Sequence, residues 1–405
     1  MQSRFGWTLL SKDALRRAET QLRDDVEGVR DEIGFLSLHQ AYADRFFPGT
    51  SVLHTRLRYA LFVPWMYERI TYHQDRQRIS DLIEKQELEL TRRLKDAGEN
   101  GVVGIRSYPN PTAQPPSMTY WAALNAWRIL RPTSNGTTPS RQSVHRSIAR
   151  KPVRQHLQDD DKQQLVEEEP FFCSLPKPPD AWTDTTKRLD FELEEPERIF
   201  LRNCFLSVTR PGSDNVQSLL ARLVDERVTI SNQTVLWSSK VRAAADQLDQ
   251  DALLRARQVA ALSAIGRGVY AALVEEMLEK HDAKPTESVH RTNLDAVVDE
   301  FINDASALNI DDVHIDAPLV PAGILEVLRV TQSWLSGRTR SISLLYEPFE
   351  RAEIRRKGRR ARLSKTLSGR ERRAEWVPSE HPNATPLHYR WKNVRQLLMD
   401  LQGTI

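Results

Sequence analysis

Basic side chains are concentrated in one short part of this sequence, residues 351–373. The 23 residues of this segment include 11 lysines and arginines and only 2 acidic residues. Like charges at this density repel one another, and a polyanionic partner relieves that repulsion. Arginine predominates, and its planar guanidinium forms paired hydrogen bonds with phosphate oxygens. Each phosphate contact would release a counterion, so binding to nucleic acid should weaken steeply as the salt concentration rises.

We therefore interpret residues 351–373 as a nucleic-acid-binding segment. Gly358 and Gly369 argue against one unbroken helix, and we expect a flexible or partly ordered arm. Two alternatives stay open: the segment pairs with acidic residues, in 151–197 of the same chain or on another protein, or it is simply solvated. The candidate nucleic-acid-binding residues are Arg355, Arg356, Lys357, Arg359, Arg360, Arg362, Lys365, Arg370, Arg372 and Arg373.

Two further arginines, Arg56 and Arg58, are candidates for a phosphate or partner contact. The turn-forming residues 48–49 and the hydroxyl residues 50–51 predict a helix that carries both side chains. On a helix they would lie about 200° apart, so they could not hold one ligand together. Arg58 precedes Phe62 by four residues and could stack on that ring. The alternative interpretation is a structural helix with stacked arginines.

A third group of candidates lies on a predicted C-terminal helix, residues 389–401. Its apolar side chains recur at helical spacing and could dock a partner protein. The alternative is that this stripe faces the core of the chain itself. The residues of the stripe are Trp391, Val394, Leu398 and Leu401.

No complete catalytic motif is present in the sequence. It contains no phosphate-binding loop, no dinucleotide-binding glycine pattern, no zinc-protease pattern and no nucleophile elbow. Residues 311–316 hold three aspartates and one histidine, but aspartate also favours turns, and a solvated loop is the simpler interpretation. We predict no catalytic residues, no metal site and no cofactor. The open alternative is a divergent metal-dependent nuclease with carboxylates on distant segments.

Hydrophobic periodicity predicts a mostly α-helical, multi-domain protein with few short strands. The longest helical pattern covers residues 249–281, where glycines 266 and 268 indicate close helix packing. The best strand signals are residues 228–236 and 341–346.

The length of 405 residues indicates more than one domain. Composition changes divide the chain into an N-terminal helical domain (1–151), an acidic and proline-rich linker (152–190), a central helical domain (191–350), and the basic arm with the C-terminal helix (351–405). The sequence contains no apolar stretch of membrane-spanning length and no signal peptide, so we expect a cytoplasmic protein and no membrane contact. Two cysteines exclude a disulfide framework.

Three stretches carry a resemblance to a known family: FGW at 5–7, FPGTSVLHTRLRYALFVPW at 47–65 and HYRWKNVRQLLMDL at 388–401. Over nearly its whole length the chain resembles an uncharacterised bacterial family with a domain of unknown function. The resemblance implies a place in anti-phage defence clusters of the Azaca type, beside helicases and phospholipase-D-like nucleases. It implies no catalytic residues.

The sequence and this resemblance together predict a non-enzymatic or accessory subunit of a defence system. It would bind nucleic acid, DNA rather than RNA, through the basic segment, and dock a helicase or a phospholipase-D-like nuclease. The alternatives are the divergent nuclease and a structural assembly protein that binds an acidic protein surface.

Overall fold

The computed structural model describes residues 32–71, 78–133, 135–150, 170–213, 215–378, 381 and 384–403. Within these ranges the protein is mostly α-helical, as predicted, and its β-structure is limited to two isolated bridges. The FGW motif at 5–7 and the first part of the predicted linker lie outside the described residues. None of the described helices has the length and apolar character needed to cross a membrane.

In chain order the α-helices are α1 (Leu36–Phe46), α2 (Tyr59–Thr71), α3 (Ile79–Asp96), α4 (Pro116–Thr119), α5 (Trp121–Ala126), α6 (Arg141–Arg150), α7 (Asp180–Thr183), α8 (Glu195–Leu206), α9 (Leu219–Asp225), α10 (Ser239–Ala244), α11 (Gln247–Lys280), α12 (Val289–Ser306), α13 (Val313–Asp316), α14 (Ala322–Leu335), α15 (Tyr346–Lys357), α16 (Leu367–Ala374) and α17 (Trp391–Gln402). Short 3-10 helices cover Ile310–Asp312, Ile342–Leu345 and Gly358–Arg360.

The chain forms two compact units. The described part of the first unit lies within Val52–Glu197, and the second unit combines Arg30–Ser51 with Arg198–Ile405. This division differs from the four predicted parts. Residues 351–405 belong to the second unit and do not form a separate arm, and residues 30–51 belong to the second unit although they precede the first along the chain.

Helix α2 is the centre of the first unit, and ten of its thirteen residues are buried. Aromatic rings pack around it: Phe62 stacks on Trp182 with ring centroids 5.3 Å apart, and Trp65 lies 5.5 Å from the same tryptophan. Pro64 lies inside the helix. A helix buried on every side must be apolar around its whole circumference, and the run of apolar residues from 59 to 67 meets that requirement.

The predicted start of α2 was wrong. Thr50 does not cap this helix, because α2 begins only at Tyr59. The Thr50 hydroxyl donates a hydrogen bond to the Phe47 carbonyl at 2.7 Å, and residues 52–58 contain two turns joined by an irregular segment. Arg56 and Arg58 therefore precede the helix, and the predicted angle between them on a helix does not apply.

Helix α11 is the longest element of the second unit, with 34 residues, most of them buried. Its glycines allow close packing, as predicted. A Cβ atom on Gly266 would lie 2.7 Å from the Phe35 ring, and one on Gly268 would lie 3.2 Å from Leu294 of α12. Helix α12 packs along α11 as its main partner.

Both predicted strands were wrong. Residues 341–346 form a 3-10 helix and the start of α15, and residues 228–236 are irregular with a turn at 232–233. A short extended segment needs a neighbouring strand to satisfy its backbone groups. In residues 228–236 side chains of α17 take that role: Gln402 bonds to the Ile230 amide and the Val228 carbonyl, at 3.1 and 2.7 Å. Trp391 donates to the Thr234 carbonyl at 2.8 Å.

Candidate nucleic-acid interface

The basic segment 351–373 is folded, and the expectation of a flexible arm was wrong. It comprises the end of α15, the 3-10 turn Gly358–Arg360, a short loop and most of α16. Gly358 ends α15 with φ +57° and ψ −126°, a conformation that glycine adopts far more readily than other residues. Thr366 caps α16, since its side chain accepts a hydrogen bond from the Gly369 amide at 3.2 Å.

A buried glutamate, Glu353, fixes the loop from one side. Its carboxylate accepts hydrogen bonds from the Leu363 amide and from the Tyr270 hydroxyl, both at 2.7 Å. Burial raises the pKa of this carboxyl, and the hydrogen bonds from the backbone oppose that shift. Because the carboxylate has backbone and side-chain donors, Glu353 ties α15 to the loop and to α11 rather than presenting charge to solvent.

A buried arginine, Arg373, fixes the loop from the other side. Its guanidinium makes a paired salt bridge to Asp282, with distances of 2.7 and 2.9 Å. It also donates to the Ser364 carbonyl at 2.6 Å and to the Arg362 carbonyl. The hydrogen bonds from Arg373 lower the pKa of Asp282 to about 2. Arg373 was a predicted nucleic-acid contact, and its burial removes it from the surface that a ligand could reach.

Most of the other candidate residues of the basic segment are exposed. Arg359, Arg360 and Arg370 are exposed and have no carboxylate within 4.0 Å in the described part of the chain. Arg372 is exposed too, and it pairs with Glu375 at 3.0 Å. The exposed candidates are Arg355, Arg356, Arg359, Arg360, Lys365, Arg370 and Arg372.

Two candidates of the segment are only partly accessible. Lys357 and Arg362 both form ion pairs with Glu32, the second at 3.4 Å. The Arg362 guanidinium also lies 5.4 Å from the centre of the Trp376 ring. Their charges are therefore compensated within the second unit. We define the basic surface as the seven exposed candidates, without Lys357, Arg362 and Arg373.

Arg58 is buried in the first unit, and both of its terminal guanidinium nitrogens have partners there. Its guanidinium pairs with Glu197 at 2.8 Å and with Asp190 at 3.1 Å, and it also donates to the Asp190 carbonyl. It lies 5.6 Å from the centre of the Phe62 ring, which agrees with the predicted stacking. Because Arg58 is buried and paired with the carboxylates of Asp190 and Glu197, its role in this fold is structural.

Arg56 is more accessible than Arg58 but also has partners within the first unit. Its guanidinium lies 4.5 Å from the centre of the Phe191 ring and 3.5 Å from the Glu99 carboxylate. It donates to the Asn100 carbonyl at 3.2 Å. These contacts support the structural alternative for both arginines.

The apolar stripe of α17 faces the core of the second unit, so it is not a docking surface in this structure. Trp391 lies 5.7 Å from the Phe47 ring and Val394 is fully buried. Leu398 and Leu401 are buried as well. The amphipathic pattern was interpreted correctly as a helix, and its apolar face is satisfied within the same unit.

The aspartates of residues 311–316 are divided between different partners. Asp316 is buried and pairs with Arg255 at 2.6 Å, while Asp311 is exposed and pairs with Arg329 at 2.7 Å. The described ranges contain no group of three or more residues that could hold a metal ion.

The two buried anchors of the basic segment, Glu353 and Arg373, were missed by sequence reasoning. The spacing of buried residues along the chain could have indicated that Arg373 is buried. Arg373 lies four residues after Gly369 and three before Trp376, and both of these are buried. A side chain on that face of α16 points towards the core, so helical periodicity predicts a buried Arg373 beside an exposed Arg372.

These features define a helical protein with a folded, arginine-rich surface. Residues 2–231 match a family of unknown function, DUF6361. The match covers more than half of the chain, so the protein belongs to this family. The matched range includes the stretch at 47–65 but ends before the basic segment and before residues 388–401, so it is shorter than the resemblance predicted. No curated protein and no solved structure matches the chain.

Proposed function

We propose that this protein is a non-enzymatic or accessory subunit that binds nucleic acid through the basic surface of its second unit. The observation that carries the proposal is the exposure of Arg359, Arg360 and Arg370 without carboxylate partners among the described residues. Guanidinium groups held on a folded surface, with their charge uncompensated, favour a polyanion. Contacts of this kind go to the phosphate backbone and carry little sequence preference.

The cellular setting of the proposal comes from the resemblance of the three sequence stretches. We place the protein in the cytoplasm, in a bacterial anti-phage defence cluster of the Azaca type, beside a helicase or a phospholipase-D-like nuclease. DNA rather than RNA is then the expected ligand. The α17 stripe is buried, so a partner protein would dock on a different surface.

Nucleic-acid binding across a salt series tests this function. The full-length protein is titrated into labelled single- and double-stranded DNA and RNA at several salt concentrations. The test variant combines Arg359→Ala, Arg360→Ala and Arg370→Ala, which leaves the buried anchors intact. For double-stranded DNA, the slope of log K against log salt should become shallower by about 0.9 for each phosphate that the variant no longer neutralises.

A matched control removes the same charge from other exposed positions of the second unit. Arg242, Arg338 and Arg340 are exposed, and changing them to Ala should leave the slope unchanged. An equal decrease in both variants would mean that net charge alone governs binding. If the wild-type protein does not bind nucleic acid at low salt, the proposal fails, and an acidic protein becomes the ligand to test.

A further inference from the structure

The first unit contains a small cavity that the basic surface does not involve. It lies between one face of α3 and the loop of residues 104–116, and its volume is about 40 Å³. The enclosed part has room for one compact head group, and the rest of the cavity is open to solvent. Helix α3 contributes Glu84, Glu87, Leu88 and Thr91, which recur at helical spacing and so share a face.

One side chain of this cavity is a buried carboxylate. Glu87 is 6% exposed, and its Oε1 atom accepts a hydrogen bond from the Ser117 amide at 2.8 Å. Burial raises the pKa of Glu87, and Ser117 and Arg141 oppose that shift. The Arg141 guanidinium donates to the Ser117 hydroxyl at 3.0 Å. The carboxylate therefore has one amide donor and no cation within 4.0 Å among the described residues.

The opposite wall is apolar and rigid. On the loop side Pro111, Pro115 and Pro116 line the cavity, beside Asn110 and Thr112, and proline rings cannot donate a hydrogen bond from their backbone nitrogen. Thr91 lines the α3 side, but its single hydroxyl hydrogen is already shared between the backbone carbonyls of Glu87 and Val103. A carboxylate at one side and proline rings at the other suit a ligand with a cationic head and an aliphatic stem.

We propose that this cavity binds a primary alkylammonium group, from a small amine or from a lysine side chain. An ammonium head is compact, fits the enclosed part of the cavity and can donate to Glu87, while its stem extends through the open part. A planar guanidinium head is larger than the enclosed part. The second carboxylate, Glu84, is exposed beside the cavity and adds attraction for a cation. The aliphatic stem would lie against the prolines, where it is removed from water.

Calorimetric titration of the full-length protein tests this site. The probes are n-butylammonium, N-acetyl-lysine amide, the neutral analogue n-butanol and n-propylguanidinium. The test variant is Glu87→Gln, which keeps an oxygen to accept the Ser117 hydrogen bond. We expect n-butylammonium to bind the wild-type protein, and we expect Glu87→Gln to weaken that binding by about tenfold or more, because a charge-assisted hydrogen bond is removed.

The matched control is Glu89→Gln on the same helix, where Glu89 is exposed and pairs with Arg92. This variant removes the same charge and should bind the amine as the wild type does. Stronger binding of the lysine derivative than of butylammonium would identify a peptide as the source of the amine. Equal binding of n-butanol, equal weakening in both variants, or no binding by the wild type would overturn the proposal.

If Glu87→Gln disturbs folding, its unfolding temperature will show it, and Leu88→Trp then provides an independent test. Leu88 is partly exposed at the cavity, and a larger side chain there would fill the space. Loss of amine binding in that variant, with both glutamates in place, supports the cavity as the site. Retained binding contradicts it.

Discussion

Buried charged side chains determine which arginines of the basic segment reach solvent. Arg373 and Glu353 are both fully buried. Glu353 ties the loop between α15 and α16 to α11, and Arg373 ties it to Asp282 in the turn that follows α11. Breaking a buried ion pair by removing one partner leaves an uncompensated charge. The anchors are therefore the residues whose loss should change stability most, although the exposed arginines are those proposed to bind.

Replacing Arg373 by methionine should destabilise the second unit. Asp282 would lose both of its guanidinium hydrogen bonds, and the Ser364 carbonyl would lose a donor. We expect a decrease of about 3–5 kcal/mol in the free energy of unfolding, measured in urea. Arg372→Met is the control: that side chain is exposed and pairs with exposed Glu375, so it should cost less than about 1 kcal/mol. Equal effects of the two variants would contradict the role of Arg373 as an anchor.

A buried histidine predicts that the second unit loses stability in acid. His39 is 2% exposed, and neither ring nitrogen has a hydrogen-bond partner among the described residues. Its ring lies 4.8 Å from His388 and 5.9 Å from Tyr389. Burial, with smaller contributions from His388 and Arg390, lowers the pKa of His39 to about 3. The folded protein therefore holds His39 neutral at a pH where the unfolded chain would protonate it.

The sign of the pH dependence follows from that lowered pKa. Well above pH 6.5 His39 is neutral in both the folded and the unfolded state, so the free energy of unfolding does not depend on its protonation. As the pH falls towards 3, the unfolded state gains a proton that the folded state cannot, at about 1.4 kcal/mol per pH unit. Urea unfolding between pH 7 and 4 measures this decrease in stability. His39→Phe should give a shallower dependence, and an unchanged slope would show that other groups cause it.

Helices were predicted better than any other element because their signals are local. The 3–4 spacing of apolar residues located α11 and α17 to within two residues at each end. The predicted start of α2 was wrong because two turns separate Thr50 from the helix, which begins at Tyr59. The strands failed because β-structure depends on a neighbouring strand, and local sequence cannot show whether one exists.

The cap of α16 offers a test at the scale of one helix. The Thr366 side chain accepts from the Gly369 amide, so Thr366→Ala should lower the free energy of unfolding by about 1 kcal/mol. Hydrogen exchange should also become faster in the first turn of α16, next to Arg370. Ser368→Ala is the comparison on the same turn, because Ser368 is not the capping residue. Equal exchange in the two variants would show that the cap contributes little.

The division into two units was beyond sequence reasoning, because it depends on which distant segments pack together. Composition changes placed the end of the N-terminal domain at residue 151 and the end of the linker at residue 190, whereas the first unit continues to Glu197. The sequence could not show that residues 30–51 pack with residues 198–405. In the same way, the basic charge of the candidate surface was evident from the sequence. The roles of the buried anchors and the burial of the α17 stripe could be recognised only in the tertiary structure.

Arg58 links the beginning of the first unit to its end, because its partners Asp190 and Glu197 lie more than 130 residues later. Arg58→Met should therefore destabilise this unit by about 3–5 kcal/mol, since two carboxylates lose their partner. Hydrogen exchange measured by mass spectrometry should show faster exchange in residues 59–71. Peptides from α11 serve as the internal control. Faster exchange in α11 to the same extent would mean that the two units unfold together.

The discontinuous second unit has a consequence for synthesis on the ribosome. Helix α1 emerges early, but the rings that pack on Tyr42 and Phe47, those of Tyr389 and Trp391, lie near the end of the chain. At about 5–20 residues per second, translation of the intervening chain takes roughly 20–70 s. During that time these two aromatic side chains lack Tyr389 and Trp391, while the first unit can already fold. The nascent chain should therefore engage a chaperone that holds exposed aromatic segments, and release should await the appearance of α17.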